Sequence, residues 1–391
     1  MRFGLALFPH HTDIGEDPTL QLERDLELAV QADRLGYDEV WFGEHHSSGV
    51  EIIPAPELMI VAAAERTKRI RLGTAVTSLS YHHPLMITDR MVMLDHLTRG
   101  RLMWGMGPGS HALDALMMGI DPLCTRTMMQ ESMEAIHALL AFDGPVTRTT
   151  DWFRLVDAEL QLRPYNDAMD IYVASLASPS GPRLAGKYGT GVLSLGATVK
   201  EGYNFLQHTW DIVETESLSA GTTVSKDRWG LVVPMHIAET EAQARAEVHR
   251  GLRDWSQYAP LTLKGPFEPA RTDGEVEALI DQFNEGFAVV GTPEMAISMI
   301  DDLVAQSGGA GRVLLFALDW ADTGAAMRSY ELFARRVIPH FRGQLEPRAA
   351  SLARLRQLAE AGTSSADYMA AAQERAREQY ERDAGLLAQQ L

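Results

Sequence analysis

The chain alternates, over most of its length, between short apolar runs and longer segments with helical spacing of apolar residues. An apolar run of about four to eight residues indicates a buried strand, and apolar residues at i, i+3, i+4 and i+7 indicate an amphipathic helix. Strands that alternate with helices form a parallel sheet with right-handed crossovers. Eight such strands predict a closed (β/α)8 TIM barrel rather than an open doubly wound sheet. The predicted strands are 2–8, 38–42, 70–77, 101–106, 171–174, 191–195, 229–237 and 312–318.

Two segments go beyond a minimal barrel. Residues 257–275 follow the seventh strand and contain three prolines and two glycines, which predicts a mobile loop. Residues 346–391 are rich in Ala, Arg, Glu and Gln and predict a helical C-terminal extension, so we divide the chain into a barrel at 1–345 and an extension at 346–391. Helices are predicted at 19–35, 56–67, 85–97, 125–141, 180–188, 201–219, 242–258 and 323–340, with another that starts after Thr292.

Charge and cysteine content exclude several classes of protein. The formal net charge is -18, and without a cluster of Lys and Arg the chain lacks the means to neutralise phosphates, so we expect no nucleic-acid partner. A single cysteine, Cys124, excludes an internal disulfide and a thiolate metal cluster. The sequence has no apolar run of about 18 residues and no signal-peptide pattern, so we expect no membrane span and a cytoplasmic location.

Pairs of adjacent histidines follow the first three predicted strands. Loops that follow barrel strands meet at one face, so the pairs are expected to lie near each other. Histidine titrates near neutral pH and suits general acid–base chemistry, which favours a catalytic role over a structural one. The competing interpretation is a metal site, but neither His-x-His nor His-Glu-x-x-His occurs, so we predict no metal. The pairs are His10 with His11, His45 with His46, and His82 with His83.

Two turns suit the binding of a ligand by the backbone. Residues 174–182 (ASLASPSGP) place small hydroxyl residues and glycine at a helix start, which suits a phosphate and equally suits an ordinary N-cap turn. Residues 105–110 (GMGPGS) place three glycines at alternate positions, which lets the backbone approach a ligand closely. The spacing does not match a dinucleotide-binding fingerprint. The many methionines are expected to fill the core, and some to line an adaptable apolar pocket.

Taken in order, these motifs resemble the bacterial luciferase-like flavin-dependent monooxygenases, and among them the branch of the limonene and alkanal monooxygenases. Each motif is weak alone, but the set follows the order and spacing of the family through most of 1–345. The matching stretches are 40–46 (VWFGEHH), 73–76 (GTAV), 83–84 (HP), 99–109 (RGRLMWGMGPG), 178–189 (SPSGPRLAGKYG) and 289–294 (VVGTPE).

The resemblance implies a set of site residues, position by position. Residues 75 and 76 fall where the family has a non-prolyl cis peptide beside the flavin ring, and 178–181 fall on its phosphate-binding turn. The luciferases of the family carry cysteine and then arginine where this chain has Gly107 and Pro108, so a charged phosphate ligand is missing here. The implied catalytic residues are His45, Glu44 and His83, and the implied cofactor-binding residues are Ala75, Val76, Met106, Gly107, Ser178, Ser180 and Gly181.

The same resemblance implies an activity and its partners. It implies a homodimeric barrel that receives FMN in its reduced form, FMNH2, from a separate NAD(P)H:flavin reductase and uses O2 as co-substrate. One oxygen atom enters a small apolar substrate through a flavin C4a-(hydro)peroxide, with His45 handling the proton. The alternatives are a deazaflavin-dependent oxidoreductase of the same superfamily and a flavin-binding protein without turnover. Retention of Glu44, His45, His46 and His83 argues against a carrier, which needs no proton-transfer groups.

Overall fold

The computed structural model of the chain consists of two compact units, Met1–Val337 and Ile338–Leu391. The boundary between these units lies before the boundary that the sequence predicts, between 345 and 346. The division into a barrel at 1–345 and an extension at 346–391 stays a prediction. The structure describes residues 1–8, 10–176, 178–199, 205–262 and 268–388.

The first unit is built on a closed barrel of eight parallel strands, as the alternation in the sequence predicts. The barrel order is β1-β2-β3-β4-β7-β8-β9-β11, and the pairings of β8 with β9 and of β11 with β1 close the ring. Each of these strands begins and ends close to its predicted position. In chain order the strands are β1 (Arg2–Leu7), β2 (Glu39–Phe42), β3 (Arg71–Ser78), β4 (Leu102–Gly107), β5 (Val146–Thr149), β6 (Arg154–Ala158), β7 (Ile171–Ser175), β8 (Gly191–Ser194), β9 (Trp229–Ile237), β10 (Val289–Gly291) and β11 (Arg312–Phe316).

Three strands were not predicted, and all three lie outside the barrel ring. β5 and β6 form an antiparallel hairpin between β4 and β7. β10 extends the sheet beside the C-terminal end of β9, where Val289 pairs with Met235. β10 has only 3 residues and β5 only 4, which is too short for a periodic pattern to be seen in the sequence.

Helices surround the barrel in the order that the alternation implies. The helix predicted at 201–219 is present from Leu206 onward, and residues 201–204 lie outside the described part. A short helix after β4 and a further one before β10 were not predicted. In chain order the helices of this unit are α1 (Pro18–Leu35), α2 (Pro56–Arg66), α3 (Pro84–Thr98), α4 (Ala112–Met117), α5 (Thr125–Ala141), α6 (Ser180–Tyr188), α7 (Leu206–Ala220), α8 (Glu241–Thr262), α9 (Asp273–Asn284), α10 (Pro293–Ser307) and α11 (Thr323–Arg336).

The second unit is helical, as predicted for the C-terminal extension. It contains α12 (Ile338–Phe341), α13 (Glu346–Glu360) and α14 (Ser365–Ala388). α13 buries none of its residues, although leucines recur along it. Within the described part of the chain, no helix combines the length and the apolar character needed to cross a membrane.

The predicted mobile loop at 257–275 requires a correction. α8 continues through Pro260 to Thr262, so the first residues of the supposed loop are helical. Packing explains this, because Tyr258 and Ala259 are buried, and Ala259 belongs to a core cluster with Trp255. Tertiary contacts of this kind override a local helix breaker. Residues 263–267 lie outside the described part, and α9 begins at Asp273.

The interior of the barrel is filled by side chains from every part of the ring. Trp41 and Tyr172 meet edge to face there, with ring centroids 5.0 Å apart. Burying a large apolar side chain stabilises a fold by roughly 1.5–3 kcal/mol, so this layer holds the strand ends above it in fixed positions. The layer consists of Ala6, Phe8, Trp41, Ala75, Met103, Tyr172, Leu193, Val232 and Leu314.

Candidate active site

A cavity of about 900 Å³ opens at the C-terminal ends of the barrel strands. This is the face at which barrel enzymes place their active sites. The volume lies at the upper end of the range of roughly 300–1,000 Å³ for small-molecule sites, which leaves room for an organic cofactor together with a second small molecule. Seven of the predicted site residues line it: Glu44, His45, Ala75, Val76, Ser178, Ser180 and Gly181.

Three predicted site residues do not line the cavity. His83 packs edge-on against Phe153, with ring centroids 6.1 Å apart, and its buried Nδ1 has no hydrogen-bond partner among the described residues. Met106 is fully buried in the core. A β-carbon on Gly107 would lie 2.5 Å from Val76 Cγ2, so this glycine serves the close approach of β3 and β4. The structure therefore does not support a catalytic role for His83 or cofactor contacts from Met106 and Gly107.

Glu44 anchors two of the predicted histidine pairs at the end of β2. Its Oε1 accepts hydrogen bonds from His82 Nε2 at 2.8 Å and from His46 Nε2 at 3.1 Å. Its Oε2 accepts one from the Ser78 N–H at 2.8 Å. Burial would raise the pKa of Glu44, but hydrogen bonds from His46 and His82 outweigh it and lower that pKa. The third pair thus contributes His82, and not His83, to this carboxylate.

His45 lies between two buried carboxylates, one at each ring nitrogen. Its Nδ1 is 3.1 Å from Asp114 Oδ2 and its Nε2 is 2.9 Å from Glu51 Oε2. Ionised carboxylates only accept hydrogen bonds, so an imidazole that donates to both must carry two protons. Burial lowers the pKa of His45, but the hydrogen bonds that its ring donates to Asp114 and Glu51 outweigh burial and raise the pKa to about 9. His45 is therefore a fixed cation at neutral pH.

Glu51 connects His45 to His10 and to α8. Its Oε1 accepts a hydrogen bond from the Tyr258 hydroxyl at 2.8 Å and lies 3.4 Å from His10 Nε2. Trp255 Nε1 donates in turn to His10 Nδ1 at 2.9 Å. Burial would raise the pKa of Glu51, but hydrogen bonds from His10 and His45 hold it far below the ordinary value. A carboxylate from the loop after β2 is thereby tied to α8.

Sequence reasoning missed Glu51, Asp114 and His111, all of which belong to this cluster. The ring centroids of His111 and His45 are 4.1 Å apart, and His111 Nε2 lies 3.5 Å from Glu51 Oε1. The available signal was an acid and a histidine three positions apart, just after the glycine-rich turn that follows β4. A search for titratable residues in every segment that follows a barrel strand, and not only for adjacent histidines, would have found all three residues.

Ligand-type atoms of His45, His111 and Asp114 lie within 4.8 Å of one another, an arrangement able to hold a metal ion. Both nitrogens of His45 already face carboxylates, and Asp114 also accepts hydrogen bonds from the Ser47 hydroxyl and the His46 N–H. A metal would displace these contacts. The absence of a metal stays a prediction from the sequence, and elemental analysis of the purified protein tests it.

The turn after β7 forms a hydroxyl-lined end of the cavity. The Ser178 and Ser180 hydroxyls lie 2.9 Å apart, and Ser180 opens α6, a helix of 9 residues. A β-carbon on Gly181 would lie 2.6 Å from the Ala174 carbonyl oxygen, so only glycine fits there. Arg183 and Lys187 follow on the face of α6 that Ser180 occupies, and both line the cavity. Their ion pairs are loose: Arg183 Nε lies 3.8 Å from Glu216, and Lys187 Nζ 3.3 Å from Glu134.

Another part of the cavity wall is formed by the end of β3 and the turn that follows it. The Ala75–Val76 peptide bond is cis, as the resemblance implies. The Tyr81 hydroxyl is buried and has no hydrogen-bond partner among the described residues, although Tyr81 lines the cavity. An unpartnered buried hydroxyl in a cavity wall marks a place where a ligand accepts or donates a hydrogen bond.

Comparisons with known proteins point to one family. The family model of the luciferase-like monooxygenases matches residues 1–311. Limonene 1,2-monooxygenase from Rhodococcus erythropolis is 47% identical over 380 residues, which cover 97% of this chain and 96% of that protein. The 4-hydroxyprotoasukamycin monooxygenase from Streptomyces nodosus subsp. asukaensis is 45% identical over 353 residues, covering 89% of this chain and 94% of that protein.

The fold also matches a solved structure. The crystal structure of the monooxygenase RslO1 from Streptomyces bottropensis is 25% identical and aligns with a TM-score of 0.75 over 87% of this chain and 100% of that one. With a family model that matches most of the chain and relatives that align over nearly its full length, the chain belongs to the luciferase-like monooxygenase family.

Proposed function

We propose that this protein is the oxygenase component of a two-component system, which takes reduced FMN from a separate reductase and inserts one atom of O2 into a small apolar molecule. The observation that carries the proposal is a single cavity that joins a buried proton-handling cluster to a turn lined by hydroxyls and cations. The relative named for limonene makes terpenes the first substrate class to examine.

The residues at the two ends of the cavity fit FMN. Ser178, Ser180 and the N–H groups at the start of α6 would hold the phosphate, because the N-terminus of a helix favours an anion. Arg183 and Lys187, which line the cavity from α6, would supply the positive charge that Pro108 cannot. The ring would lie against Ala75 and Val76, within reach of the Tyr81 hydroxyl. When bound, reduced flavin supplies the two electrons that activate O2.

The chain's own contribution to the reaction is a dry pocket and a fixed charge. Apolar side chains also line the cavity, where they bind an apolar substrate and keep water away from the reacting atoms. His45, held as a cation between Glu51 and Asp114, stabilises negative charge that develops on oxygen during transfer, and a low local dielectric strengthens this effect. The apolar residues include Phe8, Ala115, Met129, Leu184, Leu195 and Phe316.

The direct test supplies an NAD(P)H:flavin reductase, FMN and 18O2 to the full-length protein with a panel of terpenes, ketones and aldehydes. The expected result is a product that carries one 18O atom and forms only when flavin, reductase and O2 are all present. Parallel reactions replace FMN with a reduced deazaflavin and exclude O2. Substrate reduction or dehydrogenation in those reactions would overturn the proposal in favour of a hydride-transfer enzyme. Flavin binding without any product across the panel would favour a carrier.

The cofactor assignment is tested by comparing the affinities for FMN and riboflavin, which differ only by the phosphate. Arg183→Gln is expected to weaken FMN binding about tenfold and to leave riboflavin binding unchanged, since one charge-assisted hydrogen bond contributes roughly 1.5–3 kcal/mol. Arg335→Gln is the matched control, because Arg335 is exposed and paired with Glu331 on α11. Equal losses for FMN and riboflavin would contradict a phosphate contact.

A further inference from the structure

Two histidines stand side by side in the cavity wall, and their surroundings differ. Both nitrogens of His45 contact buried carboxylates at 2.9 and 3.1 Å. His111, the residue that precedes α4, lines the cavity with 11% of its side chain exposed. Among the described residues, its polar contact is the one between Nε2 and Glu51 Oε1 at 3.5 Å, which is too long for a good hydrogen bond.

We propose that His111 is the catalytic acid–base residue that exchanges a proton with the molecule in the cavity, and that His45 is the fixed cation beside it. The proposal rests on the proposed oxygenase function and assigns its proton transfer to a residue that the family resemblance did not supply. A doubly protonated His45 has no lone pair with which to accept a proton, whereas His111 retains one. His111 takes up one proton and releases one in each turnover, so it ends the cycle unchanged.

The charges around His111 favour its neutral form. Burial and then the positive charge of His45 lower the pKa of His111, while the carboxylates of Glu51 and Asp114 oppose this more weakly. His10 lies on the far side of Glu51, and the Tyr258 hydroxyl donates to that same carboxylate. A neutral imidazole beside a fixed imidazolium is a base that is ready near neutral pH, and the neighbouring cation disfavours a second positive charge on it.

The first experiment observes the histidines directly in the ligand-free protein. Protein labelled with 15N at histidine is titrated by two-dimensional NMR, with His111→Gln and His45→Gln used to assign the two side chains. We expect the His45 ring to keep both protons until the pH approaches its pKa of about 9. His111 should lose its second ring proton at a lower pH than an ordinary histidine, because its pKa is lowered. A His45 ring with an unprotonated nitrogen at pH 7.5, or a His111 ring still doubly protonated there, would overturn the assignment.

The second experiment follows product formation against pH. In the wild type we expect the rate to rise as His111 loses its proton. His111→Gln should lower the rate about 10²-fold or more without this pH dependence and with little change in KM, and added imidazole should restore part of the rate in His111→Ala. In His45→Gln the rise should persist and move to higher pH, because the repelling cation is gone. If His45→Gln removes the rise and His111→Gln retains it, the roles are reversed and the proposal is wrong.

The two proposals fail in different ways. If the wild type makes no 18O-labelled product at any pH, the oxygenase function fails, and the spectra of the ligand-free protein still decide which histidine titrates. His96→Gln is the matched control for both experiments, since His96 bonds to the Arg163 carbonyl oxygen in the last turn of α3 and does not line the cavity. It should leave the rate and the two assigned resonances unchanged.

Discussion

His11 and His45 follow neighbouring barrel strands and each lies between two carboxylates, yet only His45 lines the cavity. His45 lies between Asp114 and Glu51, and His11 lies between Asp25 and Asp319, with Nε2 and Nδ1 at 3.1 and 2.9 Å from these carboxylates. Burial lowers the pKa of each histidine, and the hydrogen bonds that each ring donates to its two carboxylates raise that pKa to about 9 in both cases.

The difference lies in what stands beside each cluster. His11 is only 1% exposed, and Arg24 closes its cluster, with Nη2 at 2.6 Å from Asp319 Oδ2 and at 2.5 Å from His11 Nδ1. His45 lines the cavity and packs against His111, with the two ring planes tilted by 38°. A perturbed pKa and a pair of carboxylates therefore do not identify a catalytic histidine by themselves. Access to the cavity is what allows the His45 cation to act on a ligand. The His11 cation instead joins the end of β1 to α1 and to the end of β11.

The largest expected effect tests this separation through activity. His45→Gln should lower product formation at least 10²-fold per folded molecule, because the cation that faces the reacting oxygen is lost. His11→Gln should leave that rate within about twofold of the wild type. Each substitution leaves at least one buried carboxylate without its partner and should destabilise the fold by roughly 3 kcal/mol. The measurement is product formed per active site, with the folded fraction determined by circular dichroism.

A loss of activity in His11→Gln equal to that in His45→Gln would show that the two clusters act as one unit, and the comparison would fail. Measuring the loss of stability and the loss of activity in each variant also separates an effect on folding from an effect on function. Equal destabilisation with unequal rates is expected only if one histidine acts on the ligand.

An intermediate effect concerns the pH dependence of stability, in which the two clusters should behave alike. Both histidines have folded-state pKa values of about 9 against an ordinary value of 6.5. A raised pKa stabilises the fold fully below pH 6.5, and this stabilisation is lost as the pH rises from 6.5 to 9. We expect the free energy of unfolding to fall by about 1–3 kcal/mol per histidine over that range.

Urea unfolding at pH 6, 7.5 and 9, followed by tryptophan fluorescence, measures this dependence. His11→Gln should be the less pH-dependent protein because one of the two contributions is removed. If the wild type and His11→Gln lose stability in parallel between pH 6 and 9, the buried cluster does not hold an imidazolium and its likeness to the His45 cluster is superficial.

The barrel could be predicted from the sequence because its strands are continuous apolar runs. The predicted strand at 229–237 agrees with β9 at both ends, since all nine residues are buried. The local signals failed where packing decides the outcome. Pro260 predicts the start of a loop, but burial of Tyr258 and Ala259 carries α8 two residues beyond it.

The site could be predicted only as far as single motifs reach. His45 was recognisable from its motif, but Asp114, its partner at Nδ1, is 69 positions away, and only the closure of the barrel brings the two loops together. The choice between His82 and His83 depends on one residue of register after the short 3-10 turn Leu79–Tyr81. The two imidazoles of an adjacent pair point in different directions, and no sequence pattern indicates which of them contacts the Glu44 carboxylate.

The smallest expected effect concerns the outer partner of each cluster. Tyr258 donates a hydrogen bond to Glu51 Oε1 at 2.8 Å, and Arg24 donates one to Asp319 Oδ2 at 2.6 Å. Each of these residues therefore helps to fix the position of one carboxylate that contacts the histidine. Tyr258→Phe should lower kcat about three- to tenfold, because a hydrogen bond to a carboxylate that orients His45 contributes roughly 1 kcal/mol. Arg24→Gln should leave kcat unchanged and reduce only the free energy of unfolding. Steady-state kinetics and urea unfolding of the two variants measure both quantities, and a fall in kcat for Arg24→Gln alone would place the proton-handling function in the His11 cluster instead.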